Sequence, residues 1–144
     1  NIAKTLAPAV FNGMKVTQWG RILALTPFGR LDSLQAIAEA CVQELDGFRA
    51  PADKAELARR RKAGLSPRQE VLLAQWGYPY VFEEFSFHLT LSGRLFEEEL
   101  TDWTTKLQSH LPELPKPFVI DQIALCGERL DGRFELISRY TLTG

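Results

Sequence analysis

From Glu84 to Ser92 the chain alternates without a break, with Phe85, Phe87, Leu89 and Leu91 on one face and Glu84, Ser86, His88, Thr90 and Ser92 on the other. A period of two belongs to extended backbone with one apolar face and one open face, so the segment predicts a half-buried strand. A different period governs residues 31–48, where Leu31, Leu34, Ile37, Ala38, Cys41, Val42, Leu45 and Phe48 step by three and four and predict an amphipathic helix that Gly47 helps to stop. Phe96, Leu100, Trp103 and Leu107 repeat that spacing and predict a second helix over 96–109, closed near Leu111-Pro112.

The remaining elements are marked by turns and caps. Gly20 separates two extended runs between Phe11 and Thr26 and predicts a hairpin, and two more strands are expected at 118–126 and 133–142. Ile2, Leu6, Ala9 and Val10 fit a short helix that Pro8 weakens. Asp53 three residues before Glu56, and Ser66-Pro67 before Gln69, are helix starts in which a short acceptor side chain covers the free amides. Gly64 and Gly77 suit the ends of those two short helices. Together these elements predict an α+β fold of antiparallel sheets packed by helices.

The 144 residues are 45% hydrophobic and 24% charged, a composition that excludes disorder and a disulfide scaffold and suits one domain. With 17 Lys and Arg against 18 Asp and Glu, the net charge of −1 offers no whole-molecule attraction to nucleic acid or anionic lipid. No apolar run reaches membrane-spanning length, so no membrane partner is expected. Cys41 and Cys126 lack metal-ligand spacing and read as packing residues, which makes a reducing cytoplasm the expected setting. Neutrality overall conceals a local imbalance. Residues 49–70 hold seven cations against Asp53, Glu56 and Glu70, whereas residues 83–102 hold six carboxylates against Arg94 alone.

The halves echo each other. The second runs through the His88 strand, a helix, Phe118 leading to Ile123, and Gly132-Arg133-Phe134-Glu135-Leu136-Ile137. The first runs through residues 2–10, Phe11 leading to Val16, and Gly20-Arg21-Ile22-Leu23-Ala24-Leu25. His88 stands 30 residues before Phe118. A matching histidine would stand roughly thirty residues before Phe11, upstream of Asn1. The first residue is Asn and not Met, and both features lead to the expectation that the 144 residues are part of a longer protein.

His88 and Thr90 leave the same side of the predicted strand about 7 Å apart. An imidazole that exchanges protons near neutral pH and a hydroxyl that donates to an oxygen suit a phosphoryl group, and Ser86 or Ser92 can extend the polar row. The tripeptide alone reads first as a solvent-facing stripe on an antiparallel sheet. Other candidates carry similar alternatives. Arg68, with Arg59, Arg60 and Arg61, either lines an anion entrance or forms a solvated helix face. Tyr78 and Tyr80, between Trp76 and Phe82, either stack on a substrate or enter the core. Arg94 either reaches a phosphoryl oxygen or pairs with Glu97 or Glu98.

The run Phe87-His88-Leu89-Thr90-Leu91, preceded by Trp76-Gly77-Tyr78-Pro79-Tyr80-Val81-Phe82-Glu83-Glu84-Phe85 and by Arg59 to Glu70, resembles the phosphonate-metabolism proteins of bacterial phosphonate operons. That family looks like a branch of the two-histidine (2H) phosphoesterases, which include RNA 2',3'-cyclic phosphodiesterases. The resemblance implies a bilobal fold with pseudo-twofold symmetry, here lacking its first His-x-Thr strand. Residues 1–28 would be the remainder of the first lobe, 29–82 a helical connection with the basic segment, and 83–144 the second lobe. It further implies metal-independent phosphodiester hydrolysis without a cofactor, with His88 in proton transfer and Thr90 on the phosphoryl group. The partner would be a small phosphorylated or cyclic-phosphate substrate, or an RNA end. His110 is not the missing motif, since Pro112 stands where the hydroxyl residue belongs. A chain with one motif is expected to be inactive alone. The rival expectation is a non-catalytic module that binds a nucleotide, an RNA end or a phosphometabolite.

Overall fold

Gly20, at φ +58°, supplies the left-handed residue that a tight hairpin turn requires. In the computed structural model, which describes residues 2–62 and 64–144, it joins β2 (Gly13–Trp19) to β3 (Ile22–Phe28). Asn1 and Ala63, which fall in segments read above, lie outside the described residues. β1 (Ala9–Phe11) precedes this hairpin, and α1 (Asp32–Leu45), α2 (Lys54–Arg61) and α3 (Pro67–Trp76) follow it. Then come β4 (Leu89–Thr90), α4 (Leu100–His110), β5 (Phe118–Ile120), β6 (Gln122–Glu128) and β7 (Phe134–Thr141). The architecture is α+β, and every strand pairing is antiparallel: β1 with β5, β2-β3-β4 in order, and β6 with β7.

The two halves repeat an order of short strand followed by hairpin, and their short strands pair with each other. Ala9, Val10 and Phe11 lie opposite Ile120, Val119 and Phe118, and the Phe11 and Phe118 rings stack with centroids 5.3 Å apart. Around this junction the core gathers Ala3, Ala9, Phe11, Met14, Leu25, Leu34, Ile37 and Leu142. α1 thus buries Leu34 and Ile37 as its stripe predicts. The stripe outruns its cover, however: the α-helix ends at Leu45, and Phe48, in the 3-10 turn that follows, is 88% exposed.

Local signals hold well in the helical connection. The Asp53 carboxylate accepts from the Glu56 amide at 2.7 Å, and Ser66 and Gln69 form a reciprocal capping box ahead of α3, with Pro67 in its first turn. α3 closes on Gly77 at φ +71°.

Four expectations need correction. Residues 2–10 form only a 3-10 turn, Ile2–Lys4, before β1, since Pro8 cannot continue a helix. The strand predicted at 118–126 is two strands, because the chain changes partner at Asp121, whose carbonyl accepts from Leu142. Cys126 is exposed on β6 and not packed, whereas Cys41 is half-buried against the core.

The fourth correction concerns residues 84–92, where only Leu89 and Thr90 form ladder pairs, with Leu25 and Ala24. Leu23, Leu25 and Pro27 direct their backbone polar groups toward this segment by the alternation of an antiparallel ladder. Pro27 has no N–H to give, so the ladder stops there and Phe82–Glu84 turns as a 3-10 helix. Beyond Thr90 the pairing loosens differently. The Leu23 carbonyl takes both Leu91 N at 2.8 Å and Ser92 N at 3.3 Å, and the Leu23 N–H donates to Ser92 Oγ at 2.9 Å.

Leu23 is fully buried and supplies these bonds through its backbone. Leu23→Ala removes apolar volume while keeping the backbone groups, and urea unfolding should show a loss of about 2–5 kcal/mol.

Candidate functional site

The β2-β3-β4 register divides the sheet into an apolar face and a polar one. Met14, Leu23 and Leu25 turn into the interior. Lys15 pairs with Thr26, Thr17 with Ala24, and Ala24 with Thr90, so Lys15, Thr17, Trp19, Thr26 and Thr90 share the opposite face. His88, two residues before Thr90, emerges there too: its ring lies 4.4 Å from that of Trp19 between centroids, tilted by 59°. Thr17 and Thr26 join their hydroxyls at 2.6 Å on the same face. A histidine and a threonine predicted to work together are therefore side by side and exposed.

The His88 ring is held at two points. Its Nδ1 lies 2.8 Å from the Ser86 carbonyl oxygen. A carbonyl only accepts, so Nδ1 carries the proton and Nε2 is the accepting nitrogen of the neutral ring. Trp19 limits the tilt of the imidazole plane. The arrangement lets Nε2 take a proton from a hydroxyl or water and, once charged, return one to a leaving oxygen. Ser86 contributes through its carbonyl, and Ser92 is committed to backbone, accepting from Leu23 N and donating to the Gly93 carbonyl at 2.8 Å. Ser92 therefore does not extend the phosphate row as expected.

Trp19 had no place among the sequence candidates. The signal was the alternation Lys15, Thr17, Trp19 on one side of β2, which becomes informative once β4 is known to lie in the same sheet.

The other predicted site residues gather elsewhere. Arg68 forms an ion pair with Glu83, and Gln69 donates to Glu84 at 2.8 Å, so the start of α3 is clamped to the 3-10 turn before β4. The Arg60 guanidinium lies over the Tyr78 ring at 4.5 Å, and Tyr78 meets Tyr80 edge-on at 5.6 Å. Glu56 lies 2.9 Å from Arg60 and 3.7 Å from Arg59, and Glu70 lies 3.0 Å from Arg61. The basic segment is largely answered by its own carboxylates. Arg94 lies exposed beyond β4, and the structure gives it neither Glu97 nor Glu98 as an ion-pair partner and no hydrogen bond to His88 or Thr90. His110 bonds through Nδ1 to the Lys106 carbonyl at 2.8 Å, at the end of α4. Among the described residues no three His, Cys, Asp or Glu side chains form a metal-binding group, and no helix is long and apolar enough to cross a membrane.

Arg68, through its hydrogen bond, holds the Glu83 carboxyl below its usual range. Burial, then Glu44, pushes the Cys41 thiol up. A depressed carboxylate favours the folded state above its unfolded pKa, and that contribution fades as pH falls through the folded value. For this exposed pair the effect is read at the carboxyl itself: Arg68→Gln should raise the Glu83 pKa in a carboxyl ¹³C titration. An unchanged titration would remove Arg68 as its cause.

A family model described as "Protein of unknown function (DUF1045)" matches residues 1–135. A curated ribose 1,5-bisphosphate phosphokinase PhnN of Janthinobacterium sp. (strain Marseille) is 42% identical over 90 residues, covering 62% of this chain and 20% of that protein. The protein of the same name from Laribacter hongkongensis (strain HLHK9) is 35% identical over 106 residues, covering 74% of this chain and 22% of that protein. The chain thus spans about a fifth of the length of these curated relatives. No solved structure gives a significant match.

Proposed function

This chain belongs to the DUF1045 family, and from that premise we propose that its full-length protein hydrolyses a small phosphodiester, linear or cyclic, with His88 in proton transfer and Thr90 on the phosphoryl group. The observation that carries the reading is the shared, exposed face of His88 and Thr90, with the His88 Nδ1 engaged by Ser86. Water adds to phosphorus, the bond to the leaving oxygen breaks, and a phosphomonoester and an alcohol result, both on one molecule when the diester is cyclic. His88 Nε2 either accepts the water's proton or protonates the leaving oxygen, and Thr90 donates a hydrogen bond to a non-bridging oxygen.

A second proton-transfer group completes the reaction. In this proposal it is the histidine of an upstream His-x-Thr or His-x-Ser segment, as the resemblance to 2H phosphoesterases implies. His110, at the end of α4, is not that histidine, since Pro112 stands where the motif's hydroxyl residue belongs.

The motif resemblance supports a setting in phosphonate metabolism. The curated relatives act, by their name, on ribose 1,5-bisphosphate. That supports a sugar-phosphate substrate over an RNA end, because opening a cyclic phosphodiester on a pentose phosphate leaves a bisphosphate of that class.

The test is a ³¹P NMR screen of the full-length protein against cyclic pentose phosphates, 2',3'-cyclic mononucleotides and linear diesters. For a diester it cleaves, His88→Ala should lower kcat by about 10²–10⁴, and Thr90→Val by about 10²–10³. Both side chains are exposed, so circular dichroism should be unchanged. Retained turnover in His88→Ala would sink the assignment, and phosphate binding without hydrolysis of any diester would favour the binding module.

A further inference from the structure

Where Pro27 ends the ladder, β3 and the chain approaching His88 part to leave a slot of about 270 Å³. Trp19 forms one wall, Phe85, Phe87 and Pro27 line it, and Thr26, Gln35 and Ser86 add neutral polar groups. Among the described residues no charged side chain lines it. Both Gln35 amide hydrogens are engaged, by Glu39 at 3.0 Å and by the Phe82 carbonyl at 2.6 Å, so what Gln35 can offer a ligand is its amide oxygen, an acceptor.

We propose that this slot is the subsite for the uncharged ring of the substrate, with Trp19 as its stacking wall. The proposal rests on the assignment of the phosphoryl group to His88 and Thr90. Trp19 touches His88, so a phosphoryl group at His88 directs its ester substituent toward the same wall. The volume suits one ring and not a dinucleotide. A ring with an apolar face gains contact with the indole, and its hydroxyls or ring heteroatoms meet neutral hydrogen-bonding groups. A charged group inside the slot would lose its hydration without gaining an opposite charge, so a second phosphate on the ring stays outside it, in solvent. Trp19 thereby selects the esterified group, while His88 and Thr90 handle phosphorus.

Binding to the full-length protein separates these roles, with inorganic phosphate, phenyl phosphate, ribose 1-phosphate and 4-carboxyphenyl phosphate as probes. Phenyl phosphate or ribose 1-phosphate should bind about tenfold tighter than inorganic phosphate, and Trp19→Ala should bring that ratio back to about one. Trp19→Phe should retain much of it, which separates stacking from a folding defect. Whichever ring gains identifies the slot's occupant as an aromatic heterocycle or a sugar, and 4-carboxyphenyl phosphate should gain nothing. With phosphate binding intact, absence of any ring gain, survival of the gain in Trp19→Ala, or an equal gain for the carboxylated ring overturns the slot alone. Phosphate binding that His88→Ala leaves unchanged overturns the placement of the phosphoryl group, and the slot with it.

Discussion

The functional reading depends on a short piece of backbone pairing, Leu89 and Thr90 against Leu25 and Ala24. Those two pairs bring a segment from the second half of the chain onto a hairpin from the first. They also set its parity, which decides on which face of the sheet His88 and Thr90 emerge, since a slip of one residue would exchange Leu89 for Thr90. So short a ladder holds because its neighbours reinforce it. Leu91 and Ser92 return to Leu23, Leu95 N donates to the Arg21 carbonyl at 2.8 Å, and Arg21 Nε donates back to the Leu95 carbonyl at 2.8 Å. Leu23 and Ala24, which lie beneath these bonds, are fully buried.

Charge plays a smaller part than the sequence suggests. Arg59, Arg60 and Arg61 meet Glu56 and Glu70 within the helical connection, and Arg68 meets Glu83 just beyond it. These pairs are largely exposed and each is worth little to stability, but they leave the segment with weak pull on an anion. The polar face of β2-β3-β4 relies on the placement of neutral donors and one imidazole. Lys15, exposed on that face, is its nearest cation in the register and makes no ion pair among the described residues.

What was legible in the sequence is local. The Gly20 hairpin, the Asp53 and Ser66 caps and the stripe of α1 depend on residues within a few positions of one another, and each stands where its signal places it. The alternation around His88 reported Ser86, His88 and Thr90 as open but overstated the strand and the cover over Leu89, which is itself exposed. Its length is set by Pro27, which lies far away in the chain and acts only once the two segments are neighbours. Trp19 was invisible as a site residue for the same reason. The Arg68–Glu83 pair was equally hidden: both residues were noted, one in a basic run and one in an acidic run, and folding makes them partners.

The repeated order of short strand and hairpin, joined through the stacked Phe11 and Phe118 rings, supports the proposed pairing of two His-x-Thr segments across one site. A crystal structure of the full-length protein with orthovanadate tests the central claim most directly. It should seat the vanadate with oxygens at hydrogen-bond distance from His88 Nε2 and Thr90 Oγ1, with Nδ1 still on the Ser86 carbonyl. Vanadate seated instead at Arg68, Tyr78 and Tyr80, or a His88 ring turned so that Nε2 meets Ser86, would contradict it.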